Sequence, residues 1–335
     1  MNILLLGGTA WLGRTIAETA VAAGHDVSCV ARGTDAPAGV TLVQADRDED
    51  HALASLTAPG TARWDAVIDV ARQPGYVRRA VHDLAAHAER YVYISSCNVY
   101  ASLASYGIDE AAPLNTALTS DVMASPDEYG AAKVACEEAV LAGFGADRTI
   151  IIRPGLIGGP GDPTGRSSYW PLRFARPSNP QAQVLVPDAA QQLTSVIDVR
   201  DLAAWIMRLL EQTVSGIFNA AGNPTPLGEH LAIARRLADH KGSLVGASPE
   251  WLASQDVAQW SGPRSFPLWL ADPEARGIGA LSNESARATG LVLRPLTDTL
   301  SDTLAWANSC GIATVTRSGL TDDEECELLG ELGRA

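Results

Sequence analysis

Tyr129 and Lys133 stand four residues apart in EYGAAKVACEEAV, and on a helix that spacing projects both side chains from one face. The chain has seven tyrosines and only two lysines, Lys133 and Lys241, so such a pair would arise by chance about 0.04 times. A phenol beside an ammonium is equipment for proton transfer. A free tyrosine titrates at about pH 10, and a cation one turn away favours its phenolate. The bland alternative is a solvated pair on an exposed helix face. Further hydroxyls come from YVYISSCNVY, an apolar strand ending in Ser95 and Ser96. The carboxyl end of a parallel strand faces the crevice where ligands bind.

The second piece of chemistry is the start of the chain, MNILLLGGTAWLGRTIAETA. An apolar run leads into Gly7 and Gly8, and Gly13 follows at the head of a helical pattern. Read as Gly8-TAWL-Gly13-Arg14-Thr15, it is one residue from a P-loop, and Asp69 at the end of AVIDV would offer a second metal-binding element. Arg14 stands where that loop needs a lysine, and arginine is no equivalent. Read as Gly7, Gly8, Ala10, Gly13, it is a dinucleotide turn that places a pyrophosphate on the amides of a helix start. Ala10 then costs one methyl where the fingerprint has its middle glycine. A plain strand–turn–helix without ligand also remains open.

These residues need a frame. ILLLGG, DVSCVA, VTLVQA, WDAVIDV, RYVYISS and RTIIIRP are strand-length apolar runs, separated by Ala-rich helical patterns such as residues 11–23 and 76–89. Strands buried on both faces and alternating with helices predict an α/β fold, a doubly wound parallel sheet. Residues 154–187, rich in Pro, Gly, Ser and Arg, read as a long irregular segment. TSVIDVRDLAAWIMRLL and GIFNAAG read as a strand–helix unit and a strand returning to the sheet. Beyond Asn223 the chain is helix-rich, and Thr321 with Glu324 forms a capping box for a short acidic helix. The expected division is a dinucleotide-binding domain over 1–157, joined again by 191–222, and a smaller substrate lobe over 158–190 and 223–335.

Composition narrows the partners. The net charge of −14 argues against nucleic acid and anionic membrane. Cys29, Cys97, Cys136, Cys310 and Cys326 are scattered, without a CxxC pair, and fit a reducing compartment. No histidine spacing suggests a metal site. The starting apolar run is too short for a signal segment and none is long enough to span a bilayer, which points to the cytoplasm. A small-molecule substrate is expected, and a homodimer is left open.

Together GGTAWLG, ISSCNVY, YGAAK, RPGLIGGPGD and VIDVRDLA resemble the short-chain dehydrogenase/reductase superfamily, in its extended and atypical branches, the epimerase/dehydratase-like group, over residues 1–222. The resemblance implies a Rossmann-type fold holding a nicotinamide dinucleotide, with Tyr129 as acid/base, Lys133 as its tuner and ribose ligand, and a serine holding the substrate oxygen. The SxxVY pattern selects Ser96 over Ser95. The cofactor contacts it implies are Gly7, Thr9, Ala10, Trp11, Leu12, Gly13, Arg32, Asp46, Val70, Ala71, Tyr129, Lys133, Pro154, Leu156 and Ile157. Asp46 is equally readable as a loop carboxylate. Arg32 lies close to the ~20-residue offset from the glycine turn at which an acidic residue would grip an NAD ribose, so NADP(H) is expected over NAD(H), with Arg14 as a second positive charge. Arg32 could also merely solvate a turn.

Departures from the group's nucleotide-sugar enzymes matter as much. Cys97 and Asn98 stand where dehydratases carry Asp-Glu, Leu156 where they carry Asn, and Thr194 where an Arg binds the sugar diphosphate. An oxidoreductase acting on a small carbonyl or alcohol is therefore expected. A redox-neutral epimerase retaining its cofactor and a non-enzymatic NADP-binding sensor are the alternatives. Arg166, Arg173 and Arg176 could meet an anionic substrate, but the sequence assigns them no role.

Overall fold

Each of the six apolar runs forms a strand: β1 (Asn2–Leu6), β2 (Asp26–Ala31), β3 (Val40–Gln44), β4 (Ala66–Asp69), β5 (Tyr91–Ile94) and β6 (Thr149–Pro154). In this computed structural model residues 1–212, 214–310 and 317–334 are described. After β6 come β7 (Leu156–Gly158), β8 (Val184–Pro187), β9 (Leu193–Thr194), β10 (Val196–Asp198) and β11 (Gly216–Ala220). The central sheet runs β11-β6-β5-β4-β1-β2-β3, and all its pairings are parallel. This is the doubly wound Rossmann-type order, in which the chain reverses direction at β1 and opens a crevice at the strands' carboxyl ends.

The apolar runs are continuous because both faces of the sheet are covered. Helices α1 (Trp11–Ala22), α2 (Pro74–Leu84), α3 (Tyr129–Phe144), α4 (Tyr169–Ala175) and α5 (Val199–Glu211) follow in chain order. Ile3 and Leu5 of β1 share a core with Ile16 and Ala20 of α1 and with Leu202, Trp205 and Ile206 of α5. Leu4 and Leu6, pointing the other way, meet Val77 and Leu84 of α2 and Val140 and Phe144 of α3.

The later chain differs from its sequence reading in one place, and GIFNAAG returns to the sheet as read. Residues 154–187 are not irregular throughout, since they contain β7, α4 and β8. Tyr169, Trp170 and Phe174 of α4 are buried in a second core with Phe266 and Trp269. Pro171 sits in the first turn, where a missing N–H is tolerated. The VID strand, β10, pairs with β7 in its own two-stranded ribbon, and it is β11 that extends the sheet beside β6. The capping box of Thr321 and Glu324 is present on the helix Asp322–Leu332. That helix docks through buried Glu325, which accepts from the Leu185 amide at 3.0 Å and the Ser178 hydroxyl. No described helix is long and apolar enough to cross a membrane.

Candidate active site

Tyr129 opens α3, directly after the short turn Pro126–Glu128. Gly130 explains how closely this helix start can approach the turn after β5, for a Cβ there would lie 2.2 Å from the Asn98 carbonyl oxygen. Tyr129 and Ser96 line one cavity of about 760 Å³. Ser95 takes no part in it, because its hydroxyl is buried and donates to Glu137 at 2.5 Å. Ser96 holds the turn that follows β5, accepting from the Asn98 amide. The strand end thus divides two adjacent hydroxyls between structure and cavity.

Lys133 is buried one turn along α3, with Nζ donating to the carbonyls of Ala71 (2.8 Å) and Ile94 (2.7 Å). Those carbonyls lie two residues past β4 and at the last residue of β5, so the lysine clamps the two strand ends at the crevice. Its Nζ lies 5.9 Å from the centre of the Tyr129 ring. Burial lowers the lysine to about 8. Burial also raises the Tyr129 hydroxyl, more than hydrogen bonding toward Ser96 pulls it down. The lowering of tyrosine that the sequence suggests is therefore not a property of this free site; desolvation outweighs it.

The glycine turn is a conformational necessity. Gly7 has φ +98°, and a Cβ on Gly13 would sit 2.3 Å from the Gly7 carbonyl oxygen. Ala10 precedes α1 without a side-chain cap, so the first amides of that helix have no capping group of their own. An uncapped helix start at the sheet's reversal point fits a pyrophosphate. Thr9, Leu12 and Val70 stand around this turn, and Gly7 is packed so closely on Val70 that a Cβ would meet its methyl at 2.7 Å. Trp11 ties the turn to the loop after β7, its indole donating to Pro160 at 2.8 Å.

Arg32 is exposed just past the end of β2. Arg14 is less free than expected, because its guanidinium binds both the carbonyl and the carboxylate of Asp35 at 2.7 Å. Asp46 accepts from the amide of Asp48 in its own turn. Asp69 is spent: Arg47 binds both its oxygens at 2.9 and 2.8 Å, and Tyr91 donates to it. Burial would raise that carboxyl, but Arg47 overcomes it and holds it below the usual range. The P-loop reading thereby loses its acidic element. Pro154 ends β6, and Leu156 and Ile157 lie in β7, with Leu156 buried.

The cavity also collects residues that the sequence reading did not place there: Arg72, Asn98, Arg166, Gln259 and Trp260. Trp260 comes from a short strand pair, Ala258–Trp260 with Ser265–Pro267, whose arrival at the cavity depends on long-range packing and leaves no local sequence signal. Of the three arginines in the segment, Arg166 alone lines this cavity. Arg173 is held by Asp322 and Glu325, and Arg176 donates to Asn308. Thr194 lines a different, far smaller space with His230 and Asp198.

Comparison with known proteins agrees with this geometry. The model of the NAD dependent epimerase/dehydratase family matches residues 3–221. A candidate epimerase from Burkholderia cenocepacia J2315 superimposes with a TM-score of 0.68 at 23% identity, covering 92% of this chain and 98% of that one. WbmG from Bordetella bronchiseptica, solved with NAD and UDP, gives 0.66 at 15% identity over 94% and 97%. The chloroplast stem-loop binding protein of 41 kDa b from Arabidopsis thaliana is 25% identical over 261 residues, which cover 70% of this chain and 62% of that protein. The match thus spans less than two thirds of that relative's length. With its parallel sheet, glycine turn and Tyr129–Lys133 helix, this chain belongs to the NAD dependent epimerase/dehydratase family.

Proposed function

We propose that the chain is an NADP-dependent oxidoreductase that interconverts a small carbonyl compound and its alcohol. The observation that carries this reading is the convergence of Ser96 and Tyr129 on one cavity, with Lys133 buried one turn behind. When bound, the nicotinamide supplies the hydride donor or acceptor. Tyr129 exchanges the proton at its hydroxyl with the substrate oxygen, Ser96 donates a hydrogen bond to that oxygen, and Lys133 keeps positive charge beside the phenol. Gly7, Gly13 and the uncapped start of α1 would hold the pyrophosphate, and exposed Arg32 would pair with a 2′-phosphate.

A redox-neutral epimerase is the competing reading, favoured by the family's name and by WbmG, which was solved with NAD and UDP. Against it stand two apolar or displaced positions. Leu156 is buried and offers no donor, and Thr194 lines another space. At those two positions a sugar diphosphate would lose hydration without gaining a donor. The Arabidopsis relative is named for binding a stem-loop, but a net charge of −14 repels a polyanion, so a small molecule is the better partner. A non-enzymatic sensor would have no use for a hydroxyl pair on a cavity floor. Calorimetry with UDP-glucose and UDP-galactose decides between the first two readings. No binding is expected, and saturable micromolar binding would overturn the oxidoreductase reading.

A further inference from the structure

In a chain carrying 39 acidic residues against 25 basic, no aspartate or glutamate lines the catalytic cavity among the described residues, whereas Arg72 and Arg166 both do. Neither arginine forms an ion pair among those residues. Arg166 donates Nε to Thr164 at 3.1 Å and lays its guanidinium 5.1 Å from the centre of the Trp260 ring, and its two terminal nitrogens have no acceptor among the described residues. The nearest carboxylate in sequence, Asp162, spends both oxygens elsewhere, one on Thr164 and the other on Ser167. Burial lowers Arg166 from its ordinary range, an effect that Asp162 only partly offsets. Trp260, the platform under this arginine, adopts φ +70°, a costly conformation for a bulky residue and one that folds retain mainly at functional positions.

We infer that the catalytic cavity takes a substrate bearing an oxyanion, a carboxylate or a phosphoryl group, which Arg166 grips with Arg72 assisting while the reacting oxygen meets Ser96 and Tyr129. The inference rests on the enzyme reading above and deepens it by naming the substrate class. A guanidinium that is half-buried, stacked and unpaired is suited to a forked contact with such a group. The sequence alone could not separate Arg166 from Arg173 and Arg176; burial and pairing do.

The test is a calorimetric titration of oxalate and of inorganic phosphate into protein saturated with NADPH, so that the cofactor's own phosphate sites are filled. One saturable site is expected, weakened about tenfold or more by Arg166→Met and largely kept by Arg166→Lys. Tighter oxalate assigns a carboxylate, tighter phosphate a phosphoryl group. No saturable binding by the wild type overturns the inference. Equal binding by Arg166→Met, in protein that still binds NADPH, overturns it as well. Should the wild type not bind NADPH, the oxidoreductase reading fails by itself. The anion site is then judged on the free protein from the same wild-type-to-Met difference.

Discussion

Arg153 on β6 and Arg166 before α4 are both withdrawn from water, yet the molecule treats them in opposite ways. Arg153 is fully buried and saturated: it binds Glu137 through Nε at 3.0 Å and Nη2 at 2.7 Å and reaches Tyr100 and the Glu110 carbonyl. The network continues through Tyr100 to Asn219 on β11, so it stitches α3 to two sheet strands below the crevice. Arg166 has a stacking partner and a threonine, but no counter-charge. A paired buried charge fixes structure, whereas an unpaired one in a cavity is held ready for something that arrives.

The largest effect is expected at the paired arginine. Arg153→Met leaves the buried Glu137 carboxylate uncompensated, and urea unfolding should show a loss of ~3–5 kcal/mol. A loss below about 1 kcal/mol would mean the network is not structural. Next in size is the cofactor's edge. Arg32→Ala should weaken NADPH by ~1.5–3 kcal/mol and barely change NADH in fluorescence titrations. Equal losses for both would reduce Arg32 to a turn residue.

Lys133 sharpens the contrast through pH. Its buried ammonium titrates at about 8 against an ordinary 10.5, so between those values the unfolded chain holds a proton that the folded chain has released. Folding stability should therefore rise with pH across that window, by up to ~3 kcal/mol relative to Lys133→Met. Parallel pH profiles for the two proteins would contradict this. The smallest effect is expected at Arg166. Removing its charge relieves a desolvation cost while losing a stacking contact, so Arg166→Met should unfold within about 1 kcal/mol of wild type, in contrast to Arg153→Met.

What the sequence discloses follows the range of the forces involved. The strands, α1, α3 and the capping box at Thr321 depend on local periodicity and on neighbours a few residues away, and they are legible in the residues. The spacing of Tyr129 and Lys133 likewise states its own geometry, and SxxVY separates Ser96 from Ser95, whose bond to Glu137 explains the division. The lobe is different. α4 was hidden in a Pro- and Gly-rich stretch, because its formation depends on Trp170 and Phe174 finding Phe266 and Trp269 about a hundred residues on. The cavity's Gln259 and Trp260 arrive by the same long-range packing. Desolvation of Tyr129 and Lys133 is a property of the assembled crevice, not of either residue, and so the direction of the tyrosine's shift could not be read from spacing.

The central claim, that Tyr129 serves a net transfer of hydride and not an internal epimerisation, meets its most direct test in the redox balance of the cofactor. NADPH absorbance is followed as the enzyme meets small oxo acids and their neutral homologues, with wild type and Tyr129→Phe in parallel. Net NADPH oxidation is expected, matched one to one by alcohol formed, faster for the oxo acids, and slowed by ~10² or more in Tyr129→Phe with NADPH affinity retained. Wild-type turnover in Tyr129→Phe, or a tightly held cofactor whose redox state never changes while a sugar epimer accumulates, would contradict it.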